Sequence, residues 1–338
     1  MKEDLAKQPI IISAQQSIRK ILRLLLTPDC NSKCFYCHRE GMPPDTKSLL
    51  TPHDWRFVIE ATADLFEGVA IAGGEPMLYA DLVSLAEFIF CTTGRAVHLT
   101  TNGSLPLNSV VERSNLFARV NLSINTMNPT TYVRITGRPM PKNVLSANLE
   151  ALSATGIELH TNTVLLPGFN LSAQEISAIL DLSKDYNLLP EFLHLIPRTK
   201  DEFRATCEGL RRFRSAMATL GYTAELRERP YSHPNTLYRK GSHKVVLRDY
   251  GQLTDPETCQ GCRLYSFCTE GICHIRLSPD GWLRPCREGL RLSLSILEAI
   301  KHRNIDAVSN SAISAQRMFE RKLLWKRLCW NRSPEEVN

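Results

Sequence analysis

The chain has 338 residues, 43% hydrophobic and 22% charged, with a formal net charge of +6. This is ordinary globular composition, enough for one large domain and a smaller one. It leaves no room for a membrane span: the best candidate, Ile21–Leu26, is six residues long and carries Arg23, against the ~20 apolar residues a spanning helix needs.

The N-terminal segment lacks the apolar core of a signal peptide, so a cytoplasmic protein is expected. From residue 20 to 200, short apolar runs alternate with amphipathic segments. Ile21–Thr27, Val69–Ala72, Val97–Thr101, Val120–Ile124, Leu159–Leu166 and Phe192–Ile196 read as buried parallel strands. Thr51-Pro52-His53-Asp54 opens a helix with an N-cap, a proline at the first position and an acid in the first turn. Asp81–Thr93 is a helix stopped at Gly94, and Ser172-Ala-Gln-Glu175 is a capping box. Strand–helix alternation repeated about six times predicts an α/β fold, a partial parallel (β/α)6 TIM-type barrel with its chemistry at the C-terminal strand ends. The expected division is a core at 1–222, a Pro- and Arg-rich junction at 223–251, and a smaller cysteine-rich domain at 252–338 with a hairpin at Pro279-Asp280-Gly281. The basic run Arg317–Arg327 reads as a solvated helix face backed by Met318, Phe319, Leu323, Leu324 and Leu328.

Eleven cysteines in a reducing compartment point to metal binding or catalysis rather than a disulfide framework. Three sit at 30–37 and five at 259–286; Cys91, Cys207 and Cys329 stand alone and read as ordinary core or surface residues. Cys30, Cys34 and Cys37 directly follow the first strand. Three thiolates at this spacing can hold three corners of a [4Fe–4S] cube and leave one iron open to an exogenous ligand. The rival is structural zinc with His38 as fourth ligand.

The CxxxCxxC motif, with Tyr36 before its last cysteine, resembles the signature of the radical S-adenosylmethionine (SAM) superfamily. Gly73-Gly74-Glu75-Pro76 at the second strand end, Thr100–Gly103 with Asn102 at the third, and Ser123-Ile-Asn125 at the fourth resemble its SAM-contacting motifs. The resemblance implies an open iron that binds SAM, and a 5′-deoxyadenosyl radical released by one-electron reduction. By the same resemblance Gly73, Gly74, Glu75, Pro76, Asn102 and Ser123 hold SAM, and the electron comes from a donor such as flavodoxin or ferredoxin.

Along nearly its whole length the chain is similar to the MoaA-like, GTP 3′,8-cyclase family, in Thr27–Cys30, Ile135–Arg138, Thr161–Asn170 and Ile275–Cys286. That family carries a second [4Fe–4S] cluster. Cys259, Cys262, Cys268 and Cys286 resemble the ligand sets of auxiliary-cluster domains, with Cys273 a fifth candidate and a zinc knuckle the rival. Three departures stand out. Arg23 matches a GTP-holding residue, but Gly68 and Ala70 occupy the places of a lysine and an arginine, and of a paired arginine set only Arg276 remains, beside His274. The tail is Ser333–Asn338 instead of two glycines, and the auxiliary cysteine spacing differs. Each charge-assisted hydrogen bond is worth about 1.5–3 kcal/mol, so losing two would weaken triphosphate binding by about two to four decades. The expectation is a paralogue acting on another small-molecule or peptide substrate, with Arg23, Arg276 and His274 as candidate contacts. The GTP cyclase itself is the alternative, and a non-catalytic iron–sulfur or zinc scaffold the second alternative. No membrane or nucleic-acid partner is expected; a homodimer is compatible with the resemblance.

Overall fold

The computed structural model describes residues 10–12, 21–229, 232–248, 252–254, 258–269, 274–287, 292–318 and 323–326. Candidate ligand Cys273 and the lone Cys329 lie outside the described residues. After a short strand β1 (Ile10–Ile12), six strands alternate with helices: β2 (Ile21–Leu25), β3 (Gly68–Ala72), β4 (Val97–Thr101), β5 (Phe117–Leu122), β6 (Glu158–Leu165) and β7 (Leu189–His194). They are consecutive parallel neighbours in one sheet. The connecting helices are α1 (Pro52–Thr62), α2 (Leu82–Thr93), α3 (Asn108–Glu112), α4 (Pro129–Thr136), α5 (Lys142–Ser153), α6 (Ala173–Asp185) and α7 (Lys200–Thr219). All six predicted strands are present; β5 and β7 each begin three residues earlier than the apolar pattern suggested, at Phe117 and Leu189.

The strands alternate. Leu22, Leu24, Val69, Ile71, Leu99, Val120 and Leu122 are buried in the main apolar core with residues of the helices. Arg23, Ala70, His98, Thr100, Arg119, Asn121 and Glu191 occupy the other face and line a central cavity. The strands are therefore not apolar throughout, as their sequence pattern suggests: one face is polar because it borders that cavity.

The stretch expected to be a junction is sheet instead. Strands β8 (Thr223–Arg229), β9 (Ser232–Lys240) and β10 (His243–Arg248) extend the sheet beyond β7, with β10 parallel to it. A short strand β11 (Gln252–Thr254) follows. At the opposite edge, β12 (Ile275–Leu277) runs parallel to β2 and pairs antiparallel with β13 (Trp282–Arg284) through the predicted hairpin; β14 (Leu294–Ser295) ends that edge. Helices α8 (Leu297–Lys301) and α9 (Ile305–Arg317) then pack on α1. Of the basic run expected to be a helix face at 317–327, Arg317 ends α9 and Leu323–Lys326 is strand β15 instead, pairing with β1 and β11 in a second, three-stranded sheet; residues 319–322 and 327 lie outside the described residues. Among the described residues no helix is long and apolar enough to cross a membrane.

Two caps show how side chains close these elements. Ser172 Oγ accepts from the Glu175 amide as predicted, but the Glu175 carboxylate accepts from Thr126 and Thr131 instead of closing the box. At α1 the box is complete: Thr51 Oγ1 accepts from the Asp54 amide, and Asp54 Oδ2 accepts from the Thr51 amide. Asp54, 1% exposed, also meets Lys301 at 2.7 Å and Arg303 at 3.0 Å, joining α1 to the C-terminal helices. Burial alone would raise its carboxyl, but hydrogen bonds from Lys301 and Thr51 hold it at about 2. Its contribution is therefore complete above the ordinary carboxyl range, near pH ~4, and is lost as the pH falls towards the folded value. Asp54→Ala is expected to cost about 2–4 kcal/mol at neutral pH. Lys301→Ala, at a half-exposed partner, should cost at most about 1 kcal/mol. Denaturant unfolding followed by circular dichroism measures both.

Candidate active site

The turn after β2 carries Cys30, Cys34 and Cys37, all as thiols. Burial pushes the Cys34 thiol up to about 12, with further increments from the neighbouring Cys37 and Cys30; burial also raises Cys30 and Cys37. The three resist ionising together unless a multivalent positive group sits among them, which is what an iron–sulfur cube supplies. Backbone amides already point at the sulfurs: Ser32 N–H donates to Cys30 Sγ at 3.4 Å and Arg39 N–H to Cys37 Sγ at 3.3 Å. A single zinc ion would require sulfurs about 3.8 Å apart, from its ~2.3 Å bonds. His38, the proposed fourth zinc ligand, has both ring nitrogens engaged, Nδ1 by the Glu40 amide at 3.0 Å and Nε2 by Arg287 Nη1 at 2.9 Å. The donor set fits the cluster better than the ion.

The Gly73–Pro76 turn lies directly against this loop. Gly74 N–H donates to Thr27 O and Glu75 N–H to Asp29 O, both at 2.7 Å. A Cβ on Gly74 would fall 1.9 Å from Asp29 O, and Gly73 has φ +140° with Thr27 O 2.7 Å from its would-be Cβ. Only glycine permits the two backbones to run this close. Glu75, 1% exposed, braces the neighbouring strand end: Thr101 Oγ1, the Asn102 amide and the Met77 amide donate to its carboxylate at 2.6, 2.8 and 3.1 Å. Asn102 Nδ2 donates to Asn31 Oδ1 at 2.8 Å and lies 3.9 Å from Cys30 Sγ. Asn125 Nδ2 donates to the buried Tyr36 hydroxyl at 2.7 Å. Motifs from four strand ends thus meet around one loop, and Ser123 lines the cavity beneath it.

That cavity, about 280 Å³, is bordered by all three sequence-predicted substrate candidates, Arg23, His274 and Arg276. It also contains charges that the sequence reading missed: Glu40, Arg119, Glu191, Arg248 and Arg287. Most are paired within the protein. Glu40 accepts from Arg23 and Arg276 at 3.0 Å each. Glu191 accepts from Arg248 at 2.5 Å and contacts His160 at 3.0 Å, while Arg119 meets Glu158 at 2.8 Å. Burial would raise Glu40, but Arg23 and Arg276 outweigh it and hold the carboxyl well below the usual range; Arg248 and His160 hold Glu191 at about 2. Burial pushes His98 and His194 down to about 4 and holds His274 well below its ordinary value, so these imidazoles are neutral near pH 7. The signal for most of these residues was present in period-two alternation, as in His98-Leu-Thr100 and Arg119-Val-Asn121-Leu-Ser123. Nothing in the sequence pointed to Glu40.

Cys262 and Cys268 pack against an apolar group of Phe203, Cys207, Leu264 and Phe267, and Cys259 and Cys286 are half-exposed thiols. Cys207, expected to be an unrelated core residue, lies against this segment and is disulfide-bonded. Cys91 is exposed.

Because Gly74 has no room for a methyl group, Gly74→Ala is expected to lower iron per chain by at least about half after anaerobic reconstitution. Gly94→Ala, whose added Cβ meets nothing within 4 Å, should leave iron content unchanged at a stability cost of about 1 kcal/mol. Colorimetric iron assay decides the comparison.

Residues 24–181 match the family model of the Radical SAM superfamily. A probable GTP 3′,8-cyclase of Aeropyrum pernix is 30% identical over 298 residues, covering 83% of this chain and 77% of that protein. One of Pyrobaculum aerophilum is 30% identical over 87% of this chain and 91% of its own length. Among solved structures, Streptococcus suis SuiB bound to precursor peptide SuiA superposes with a TM-score of 0.57 at 15% identity, covering 87% of this chain and 65% of that one. Native anSMEcpe with bound AdoMet gives 0.53 at 16% identity, over 85% and 81% of the two chains. These two share the fold. The chain is therefore a radical SAM enzyme of the MoaA-like family, that of the GTP 3′,8-cyclases, and its cofactors are SAM and a [4Fe–4S] cluster.

Proposed function

We propose that this enzyme is a paralogue of the GTP 3′,8-cyclases that acts on a different small, anionic substrate in the central cavity. In this reading Cys30, Cys34 and Cys37 hold the radical-generating cluster. Gly73–Pro76, Asn102 and Ser123 form the SAM cradle, and Arg23, Arg276 and His274 face the substrate. Cys259, Cys262, Cys268 and Cys286 would hold a second cluster in a C-terminal unit. When bound, the first cluster and SAM together supply a carbon radical that takes a hydrogen atom from the substrate.

The chain's own residues position and shield. The Gly73–Pro76 backbone and Asn102 bring the SAM cradle against the cysteine loop, and the strands wall the reaction from water. Paired arginines give the substrate's anionic group a fixed anchor.

The observation that carries the reading is the cavity's charge balance. On β3 the inward position between Arg23 and His98 is Ala70, where the GTP-cyclase resemblance calls for a cation. The neighbouring arginines are matched by Glu40 and Glu191. Even with Glu40 moved aside, Arg248 stays matched by Glu191, so a triphosphate would meet fewer unmatched cations here than its charge requires. The names of the relatives favour the second reading, GTP 3′,8-cyclase activity.

The deciding experiment uses oxygen-free, reconstituted protein with dithionite and SAM. Wild type is expected to hold about eight irons, and Cys30/Cys34/Cys37→Ala about four, with 5′-deoxyadenosine formation lost in the triple variant. GTP is expected to change that formation by less than about twofold and to give no cyclised product. Strong stimulation by GTP with such a product would establish the second reading instead.

A further inference from the structure

The register of β2 and β12 puts Arg276 directly beside Arg23. Two guanidinium groups on adjacent strands repel, and a shared anion is needed between them. Glu40 fills that place, taking Arg23 Nη2 on Oε1 and Arg276 Nε on Oε2, each at 3.0 Å. It does not come from a strand. It hangs from the turn three residues past Cys37, where Arg39, Glu40 and Gly41 all have positive φ, at 49°, 54° and 84°. A glutamate has no intrinsic preference for this region, so its position is held by what it reaches. The wall also keeps a spare donor, since Arg23 Nε is buried without a hydrogen-bond partner. The arrangement is an anion site already filled by a carboxylate of the protein itself.

We propose that Glu40 is an internal competitor for the substrate's anionic group: it occupies the Arg23–Arg276 site until a phosphate- or carboxylate-bearing substrate displaces it, and its displacement shifts the loop that carries Cys37. The inference rests on the cavity being the substrate site and goes beyond that reading by giving the Arg23–Arg276 anchor a built-in competitor and a link to the cluster loop. Glu40 is thus a positioning residue. It shields the arginines from one another in the empty enzyme and reports their occupation to the cluster loop. The same loop is pinned at His38 by Arg287, so a displaced Glu40 would leave one anchor in place rather than none.

The test is calorimetric titration of the cluster-loaded enzyme with pyrophosphate and, separately, oxalate. Glu40→Gln keeps the side chain's shape and removes its charge. It is expected to bind at least one of the two anions tenfold or more tighter than wild type, and the anion that gains identifies the group the site takes. Glu40→Asp, which keeps the charge, should stay within threefold of wild type. No gain for either anion in Glu40→Gln overturns the proposal. A second measurement needs no variant: pyrophosphate or oxalate should change the g values of the reduced cluster in wild-type enzyme, and an unchanged spectrum also overturns it. Both readouts are independent of the product formed. A GTP-derived product would end the preceding reading and leave this one standing.

Discussion

A charged side chain on the inner face of a parallel sheet has no bulk water to enter and must find its counter-charge within the cavity. Much of this protein's site follows from that constraint. Reading across the strands in register, the inner row runs Arg276, Arg23, Ala70, His98, Arg119 and Glu158. At one end Glu158, exposed at the start of β6 and outside the cavity lining, answers Arg119 from the adjacent strand. At the other, Arg23 and Arg276 lie side by side with no acidic strand neighbour in the row, and the counter-charge arrives from the loop after Cys37 as Glu40. The path of the cluster loop is thereby tied to a charge problem inside the sheet.

A second constraint acts on the same loop from the other side. The backbone of Thr27–Asp29 runs against Gly73–Glu75 through two 2.7 Å hydrogen bonds, and Glu75 then reaches over to Thr101 and Asn102. Three consecutive strand ends are joined by polar contacts at short range, and Asn102 continues the chain of contacts to Asn31. Such a cradle tolerates little change in backbone position, because each contact sets the geometry for the next. The cavity below is organised instead by the pairing of its charges.

The C-terminal segment belongs to the same structure rather than hanging from it. β12 lies on β2 and supplies Arg276, β10 lies on β7 and supplies Arg248, and Arg287 reaches His38 beside Cys37. Segments at both edges of the (β/α)6 core thus complete the central cavity. A boundary placed at 223–251 from composition alone could not show this, because the strand pairings that carry it are between residues far apart in sequence.

The sequence by itself determined the elements that depend on local pattern. Six apolar runs became six parallel strands, Thr51 opened and Gly94 closed their helices as expected, and the spacing of Cys30, Cys34 and Cys37 is that of the radical SAM superfamily. These signals are legible because capping, periodicity and cysteine spacing act within a few residues. Only the tertiary structure decided what the cavity contains. Glu40, Glu191 and Arg248 meet their partners through strand register and loop path, which bring together residues up to 236 positions apart, as for Glu40 and Arg276. Whether an arginine is available to a substrate or already paired depends on that three-dimensional neighbourhood, and local sequence carries no record of it.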